Sequence, residues 1–247
     1  MANERLRAAM AENGLTHLAL AAELGVNVKT VERWVLKDLV PFPRNRYALA
    51  SRLGKDESYF WPNALTRDRA AAVSESEIVK VYPRRTDISG EEWRHLLDAG
   101  TEEIGILTYD GLFLAEDAAA QRILRLKAKS GIRIRILLGD PDDVSVAIRA
   151  REEGIGDALA AKIRTAIALY GDLTTTDGVE FRQHQTVLYN SIYRADDRLL
   201  VNTHIHGLPA AHAPVLYLQK ISGGELANHY IESFERIWHD ATPLMHG

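Results

Sequence analysis

The segment 188–207, LYNSIYRADDRLLVNTHIHG, concentrates side chains that could bind or react with a polar ligand. Its alternating pattern predicts a β-hairpin with ADD as the turn, because successive strand side chains face opposite sides. One strand would present Tyr189 and Ser191 on a common face, and the other Asn202, His204 and His206. Tyr109 and His184 lie at the ends of two other predicted strands. Together with the hairpin side chains they give the candidate ligand residues, which are Tyr109, His184, Tyr189, Ser191, His204 and His206. The alternative is that these tyrosines and histidines pack together and satisfy one another's hydrogen bonds.

The histidine pair also raises the question of a metal. His204 and His206 could bind one ion, but a third ligand would have to come from elsewhere, and no HExxH or carboxylate cluster supports it. The acidic run GDPDD at 139–143 could suit Mg²⁺. The same residues suit a turn and a helix cap equally well. We predict no metal and no cofactor.

The elements that must position these residues begin near residue 87, where strands and helices alternate. Predicted strands are EIGILTY, IRIRILLGD, VEFRQH and PVLYLQK, with helical patterns between and after them. Strand, helix and parallel strand form a βαβ unit. Together with the hairpin they predict a mixed sheet flanked by helices, and Tyr109 would lie at the sheet edge where open α/β sheets bind ligands.

The first 63 residues show a different pattern, a series of short helices. Gly14 and Gly25 end two of them, and Thr16 and Asn27 cap the next two. We expect Leu18, Ala21 and Ala22 of the second helix, and Val28, Val31 and Val35 of the third, to face a core. This succession favours a helix-turn-helix, the alternative being a plain helical bundle with a solvated basic face. The predicted fold class is therefore α+β, with an all-α N-terminal domain and a C-terminal domain built on a mixed sheet.

Charge follows the same division. Residues 1–70 contain 11 Lys/Arg and 8 Asp/Glu, which leaves 19 and 26 for the rest of a chain whose net charge is −4. A polyanion would therefore bind at the N-terminal end.

No window approaches the ~20 apolar residues of a membrane span, and the absence of cysteine excludes disulfides and thiolate chemistry. We expect a cytoplasmic protein with no membrane partner, nucleoid-associated when bound to DNA.

The run LALAAELGVNVKTVERWVLKDLVPFPRNRYALASRLG resembles the lambda-repressor-like (XRE) helix-turn-helix regulators. The resemblance implies that Val28 to Arg33 begin a recognition helix in the major groove of double-stranded operator DNA. The residues that it implies at the DNA are Thr16, Asn27, Lys29, Thr30, Arg33, Arg44 and Arg46.

The order of strands, helices and hairpin, with FxxxW in the last helix, resembles the phospholipase D superfamily. The family motif H-x-K-x4-D, followed by G-S-x-N, falls on Tyr189, Ser191, Asp196, Thr203, His204 and His206. Only Asp196 keeps the family residue. The family uses the histidine as nucleophile and the lysine to hold phosphate oxygens, so the resemblance implies a catalytically inactive domain. We therefore predict that the chain is not an enzyme.

The combined interpretation is a one-component transcriptional regulator with three parts: a helix-turn-helix domain at 1–63, a linker at 64–86 and a phospholipase-D-like domain at 87–247. The last, about 160 residues, suffices for one family half-unit, and single-unit members pair about a twofold axis. A helix-turn-helix reading two half-sites requires the same symmetry, so we expect a homodimer. The second domain would dimerise the protein and sense a small polar effector. Two alternatives are a DNA-targeted nuclease or phosphodiesterase in which His204 or His206 replaces the nucleophile, and a dimeriser without a ligand.

Overall fold

A computed structural model describes residues 2–62, 64 and 73–244. The chain divides into two compact units. The helical unit comprises Met1–Glu77 with Ile221–Leu226, and the sheet unit comprises Ile78–Lys220 with Ala227–Gly247. Of the predicted linker at 64–86, residues 65–72 lie outside the described residues, and the part from Ile78 belongs to the sheet unit.

The helical unit contains the helices α1 (Glu4–Glu12), α2 (His17–Leu24), α3 (Val28–Lys37), α4 (Pro43–Arg52) and α5 (Glu57–Phe60). Residues 73–77 are also helical. The predicted caps are present: Thr16 Oγ accepts the Ala19 N–H at 3.1 Å, and Asn27 Oδ1 accepts the Lys29 N–H at 2.9 Å. Gly25 ends α2 with a φ of 63°, a left-handed conformation that glycine adopts without a Cβ clash.

The core of the helical unit corrects the predicted orientation of α2. Leu20 and Ala21 are buried, whereas Leu18 is 67% exposed and Ala22 is also exposed. The inward stripe of α2 runs through Leu20, Ala21 and Leu24, which the helical repeat places on one face. In α3 the prediction was closer: Val31 and Val35 are buried with Trp34, and Val28 is half-buried.

An eight-stranded sheet forms the centre of the sheet unit. Its strands are β1 (Ile78–Tyr82), β2 (Glu103–Leu107), β3 (Arg133–Gly139), β4 (Val179–His184), β5 (Asn190–Ala195), β6 (Arg198–Thr203), β7 (Val215–Gln219) and β8 (Thr242–Pro243). Their spatial order is β1-β7-β6-β5-β2-β3-β4-β8, with β2, β3 and β4 parallel and the other pairs antiparallel. The accompanying helices are α6 (Gly90–Asp98), α7 (Leu112–Ala115), α8 (Ala118–Lys129), α9 (Val144–Glu152), α10 (Ala158–Tyr170) and α11 (Leu226–Asp240).

The register brings one end of five strands together. The parallel strands β2, β3 and β4 end here, and β5, antiparallel to β2, begins here with Ile192 opposite Leu107. In the hairpin, Asn190 pairs with Thr203, so β6 also ends here. We call this the carboxyl edge of the sheet. It is where the polar candidates after β2, β4 and β6 converge.

The hairpin differs from the prediction at its second strand. β6 ends at Thr203, so His204 and His206 follow the strand and do not alternate with Asn202. The physical reason is pairing: Asn190 is the first residue of β5, and its partner Thr203 is the last residue of β6 in the register.

Candidate functional site

A hydroxyl and an imidazole face each other at the carboxyl edge. Ser191 Oγ lies 3.0 Å from His204 Nε2 and 3.2 Å from Thr108 Oγ1. Ser191 is the second residue of β5, and Thr108 directly follows β2, so the β2–β5 pairing holds both hydroxyls together. Ser191 and Thr108 are both buried. The arrangement places a potential nucleophile beside a potential base.

The imidazole of His204 is held in one tautomer by its other nitrogen. Nδ1 lies 3.1 Å from the Leu188 carbonyl oxygen, which can only accept, so Nδ1 carries the hydrogen and Nε2 is free to accept from Ser191. Burial, and after it the positive charge of Arg149, lower the pKa of His204 to about 4. The ring is therefore neutral at pH 7, the state in which it can accept a proton from a hydroxyl.

Tyr109 and His184 support this imidazole. The Tyr109 ring stacks on His204 with centroids 5.7 Å apart and also contacts the ring of His184. Its hydroxyl accepts the Leu188 N–H at 3.0 Å, which fixes the backbone that receives His204 Nδ1. Nε2 of His184 lies 3.2 Å from the Thr108 carbonyl, and burial lowers the pKa of His184 to about 4. Tyr109 and His184 therefore help to hold His204 in position beside Ser191.

Arg149 of α9 holds the loop that follows His204. Its guanidinium donates to the carbonyl oxygens of Ile205 at 3.3 Å and Leu208 at 2.9 Å, and it pairs with Glu153 at 2.7 Å. Arg149 is buried. The sequence pattern of α9 gave no sign of this role, since it depends on a loop more than 50 residues away.

A cavity of about 60 Å³ opens onto the hydroxyl pair. Thr108, Ser191 and His204 lie on its polar side, and the turn at 209–211 forms a wall. Arg85 and Lys162 bring positive charge, and Asp110 and Glu153 bring negative charge. Glu153 is paired with Arg149, so its charge is offset. Two cations beside a hydroxyl and a neutral imidazole suit a small anionic group such as a phosphate.

The structure separates the predicted ligand residues into two groups. Tyr109, Ser191 and His204 line the cavity, and His184 contacts the first of them. Tyr189 is 81% exposed, and the His206 side chain is 85% exposed beside Glu152. Neither lines the cavity, because both lie outside the paired strand residues, where alternation does not dictate the direction of a side chain. Thr108, Arg149 and Lys162 were missed by sequence reasoning, as their contribution depends on which loops meet.

Asp196, which matches the aspartate of the phospholipase D motif, lies at the other end of the hairpin. Its φ is 50°, and its carboxylate accepts the backbone N–H groups of Thr101, Glu102 and Glu103 at 2.7 to 2.9 Å. These hydrogen bonds hold its pKa below the ordinary value against the opposing effect of burial. Asp196 therefore anchors the hairpin turn to the start of β2 and takes no part in the cavity.

On the helical unit, the predicted DNA-binding residues are also divided. Lys29, Arg33 and Arg44 are exposed and Thr30 is half-buried, while Thr16 and Asn27 use their side chains as helix caps. Arg46 differs from the prediction: it is buried, pairs with Glu57 at 2.8 Å and donates to the Pro41 carbonyl at 3.1 Å. Its guanidinium is thus engaged inside the unit and is not presented to a phosphate.

Within the described ranges, no three His, Cys, Asp or Glu side chains lie close enough together to hold a metal ion. None of the helices in the part of the chain that the structure describes is long and apolar enough to cross a membrane.

No protein-family model and no curated protein matches this chain. Among solved structures, TrmBL2, an archaeal chromatin protein with a novel mode of DNA binding, is similar at 13% identity and a TM-score of 0.46, over 72% of this chain and 59% of that one. The match thus spans less than two thirds of TrmBL2. Nuc, a phospholipase D family member from Salmonella typhimurium, is 12% identical with a TM-score of 0.40, over 68% of this chain and 99% of that one. NucT from Helicobacter pylori is 9% identical with a TM-score of 0.35, over 67% and 96%.

Two sequence-based predictions can be judged at this point. The predicted fold class, α+β with a mixed sheet flanked by helices, is confirmed by the structure. The prediction that the chain is not an enzyme is contradicted by the similarity to Nuc and NucT. That prediction compared only residue identities at the motif positions. It did not consider that serine and histidine at positions 191 and 204 would form a hydrogen-bonded pair.

Proposed function

We propose that this chain is a DNA-binding protein whose sheet unit hydrolyses phosphodiesters through Ser191 and His204. The observation that carries the proposal is the 3.0 Å approach of Ser191 Oγ to His204 Nε2 at the cavity. The partner of the hydroxyl is a neutral, oriented imidazole, which is the arrangement that activates a serine.

The reaction follows from the hydrogen bonds. Ser191 Oγ attacks phosphorus while its proton passes to His204 Nε2, and the Nδ1–H donated to Leu188 stabilises the resulting imidazolium. One phosphorus–oxygen ester bond breaks, and the imidazolium returns the proton to the departing alkoxide. Water, deprotonated by the same nitrogen, then cleaves the seryl phosphate and regenerates Ser191. The net change is one diester and one water to one monoester and one alcohol.

Charge around the cavity supports an anionic substrate. Arg85 and Lys162 line it and would oppose the negative charge that develops on the phosphoryl oxygens. The guanidinium of Arg85 lies 4.2 Å from the centre of the Phe113 ring, which limits its movement. These two cations take the part that the family lysine, replaced here by Ser191, would otherwise have played.

DNA binding is proposed through the exposed side of α3. Asn27 caps the helix, and Lys29, Thr30 and Arg33 would meet bases or phosphates, with Thr16 and Arg44 flanking them. Because each neutralised phosphate contributes about −0.9 to the salt slope, one copy with few cations would bind loosely. A homodimer on a DNA site with two half-sites would bind more tightly. The proposal therefore includes a homodimer, and it places the protein in the cytoplasm, at the nucleoid when bound to DNA.

The test of the hydrolytic function uses bis(p-nitrophenyl) phosphate and the full chain. We expect turnover by the wild type, a loss of about 10²- to 10⁴-fold in His204→Ala, the range typical of a general base, and a loss on the order of 10⁶-fold in Ser191→Ala, which removes the nucleophile. His206→Gln is the matched control, since this histidine is exposed outside the cavity. Equal activity in Ser191→Ala and the wild type would reject the proposed nucleophile.

A second candidate function is a transcriptional regulator whose cavity retains an effector. It is favoured by the small size of the cavity, about 60 Å³, in which buried hydroxyls could hold a small polar molecule. Native mass spectrometry of the purified chain would report both the dimer and any bound mass. Retention of one unchanged molecule, lost in Ser191→Ala, would favour sensing, whereas release of a cleaved product would favour hydrolysis.

A further inference from the structure

The reacting hydroxyl lies at the bottom of a narrow space. Ser191 is 1% exposed, and the cavity above it measures about 60 Å³. One water needs about 10–15 Å³ of space measured in this way, so the cavity holds roughly four to six waters. That volume admits one phosphoryl group. It does not admit the sugars and bases on both sides of an internal phosphate.

The wall of the cavity is tied to the sheet. The turn at 209–211 leads directly into Ala213, whose carbonyl accepts the Arg85 N–H at 3.0 Å and Asn202 Nδ2 at 3.3 Å. Asn202 also donates to the Pro214 carbonyl at 3.1 Å. On the other side of the turn, Arg149 holds the Leu208 carbonyl at 2.9 Å. Both ends of the wall are anchored, so widening it would break hydrogen bonds of buried groups.

The side chains of Arg85 and Lys162 lie nearer the surface than the Ser191 hydroxyl does. Arg85 is half-buried and Lys162 is exposed, whereas Ser191, Thr108 and Tyr109 are buried. An approaching phosphate would thus meet charge first and the nucleophile last. The reacting atoms must come within about 3–3.5 Å for attack, and a misplacement of 1 Å costs on the order of 100-fold. A substrate stopped at the cations is not cleaved.

Duplex DNA is a poor match for this depth, because the double helix holds the sugars on both sides of each internal phosphate, and displacing them costs deformation energy. We infer that the site takes phosphodiesters with at least one slender, freely rotating side, that is, a strand end or a small diester, and excludes the internal backbone of a duplex. This inference rests on the proposed hydrolytic function. It also separates the two activities: the helical unit would bind duplex DNA that the sheet unit does not cut.

The experiment compares three substrates with the same full-length preparation. They are bis(p-nitrophenyl) phosphate, a single-stranded oligonucleotide whose 3′ end carries a p-nitrophenyl phosphodiester, and a covalently closed supercoiled plasmid. We expect the first two to release p-nitrophenol at rates that Ser191→Ala abolishes. Nicking of the plasmid, per protein molecule, should be at least about 100-fold slower. His206→Gln should leave the ratio among the three unchanged.

The outcomes separate the inference from its premise. Plasmid nicking within tenfold of the rate on the strand end, lost in Ser191→Ala, would overturn the inference and leave the hydrolytic function standing. No turnover of any substrate by folded wild-type protein would overturn both. Nicking that persists in Ser191→Ala does not arise from this site and is subtracted before the comparison.

Discussion

Acidification should destabilise the sheet unit through two buried histidines. His184 and His204 lie at the carboxyl edge, and burial is the largest cause that lowers the pKa of each to about 4. In the unfolded chain both would titrate near 6.5. Between pH 6.5 and 4 the unfolded state therefore binds protons that the folded state does not.

The sign and the size follow from proton linkage. Stability is lost as the pH falls below 6.5, because the unfolded state binds more protons there, and the loss is complete below about 4. With these pKa values, the contribution lost at pH 5 relative to pH 8 is about 2 kcal/mol for each histidine. The pair together would lose about 4 kcal/mol, a large share of the 5–15 kcal/mol of a typical domain.

The assay is urea unfolding at pH 8 and pH 5, followed by tryptophan fluorescence. Trp93 reports on the sheet unit, because its ring lies 4.8 Å from that of Tyr193. His204→Gln cannot ionise, so its transition should lose about 2 kcal/mol less between the two pH values than the wild type does. His206→Gln changes an exposed histidine and should behave as the wild type.

The comparison relies on a difference between pH values, so a general loss of stability in His204→Gln does not affect it. A wild-type stability that changes by less than about 1 kcal/mol between pH 8 and pH 5 would refute the claim that both rings are neutral inside the fold. An identical pH dependence in wild type and His204→Gln would refute it for His204 alone.

Three further predictions test the assigned roles of single residues. Arg149→Met should raise the pKa of His204, because it removes a positive charge that disfavours the imidazolium, and NMR titration of the imidazole would show no rise if that charge is irrelevant. Arg33→Ala should reduce the salt slope of DNA binding by about 0.9, measured by fluorescence anisotropy, whereas Arg46→Ala should leave the slope unchanged and destabilise the helical unit by about 3 kcal/mol, since it removes the ion-pair partner of the Glu57 carboxylate, whose side chain is 11% exposed. Equal changes of the salt slope in the two variants would show that Arg46 contacts DNA. Asp196→Asn tolerates the same left-handed backbone but loses the charge that accepts three N–H groups, so urea unfolding should show a loss of about 2 kcal/mol; a value within 0.5 kcal/mol of wild type would contradict the anchor role.

Some of the site could be predicted from the sequence and some could not. Strand alternation and the hairpin turn were enough to bring Ser191 into a cavity, and the position of Tyr109 after an apolar strand was enough to place it at the sheet edge. The same alternation failed for Tyr189 and His206, because both lie outside the paired residues of β5 and β6. Lys162 could not be identified at all, since nothing local distinguishes it from other exposed helix lysines.

The motif comparison shows a second kind of failure. Aligning residue identities with the phospholipase D pattern kept Asp196 and counted Ser191 and His204 as losses. The structure places Asp196 at the turn, remote from the cavity, and brings Ser191 and His204 within 3.0 Å of each other. Identity at a motif position says which atom is present, but reactivity depends on which atom lies opposite it.

By itself, the sequence determined the features that rest on local interactions: the caps at Thr16 and Asn27, the left-handed stop at Gly25, and the two periodicities that give an α+β chain. These need only neighbours within a turn or a strand. The tertiary structure alone decided that Arg149 would hold the loop after His204 and that burial would keep that imidazole neutral. It also decided that Arg46 would turn inward to Glu57. The physical reason is that desolvation and charge pairing depend on what packs around a group, and those neighbours come from distant parts of the chain.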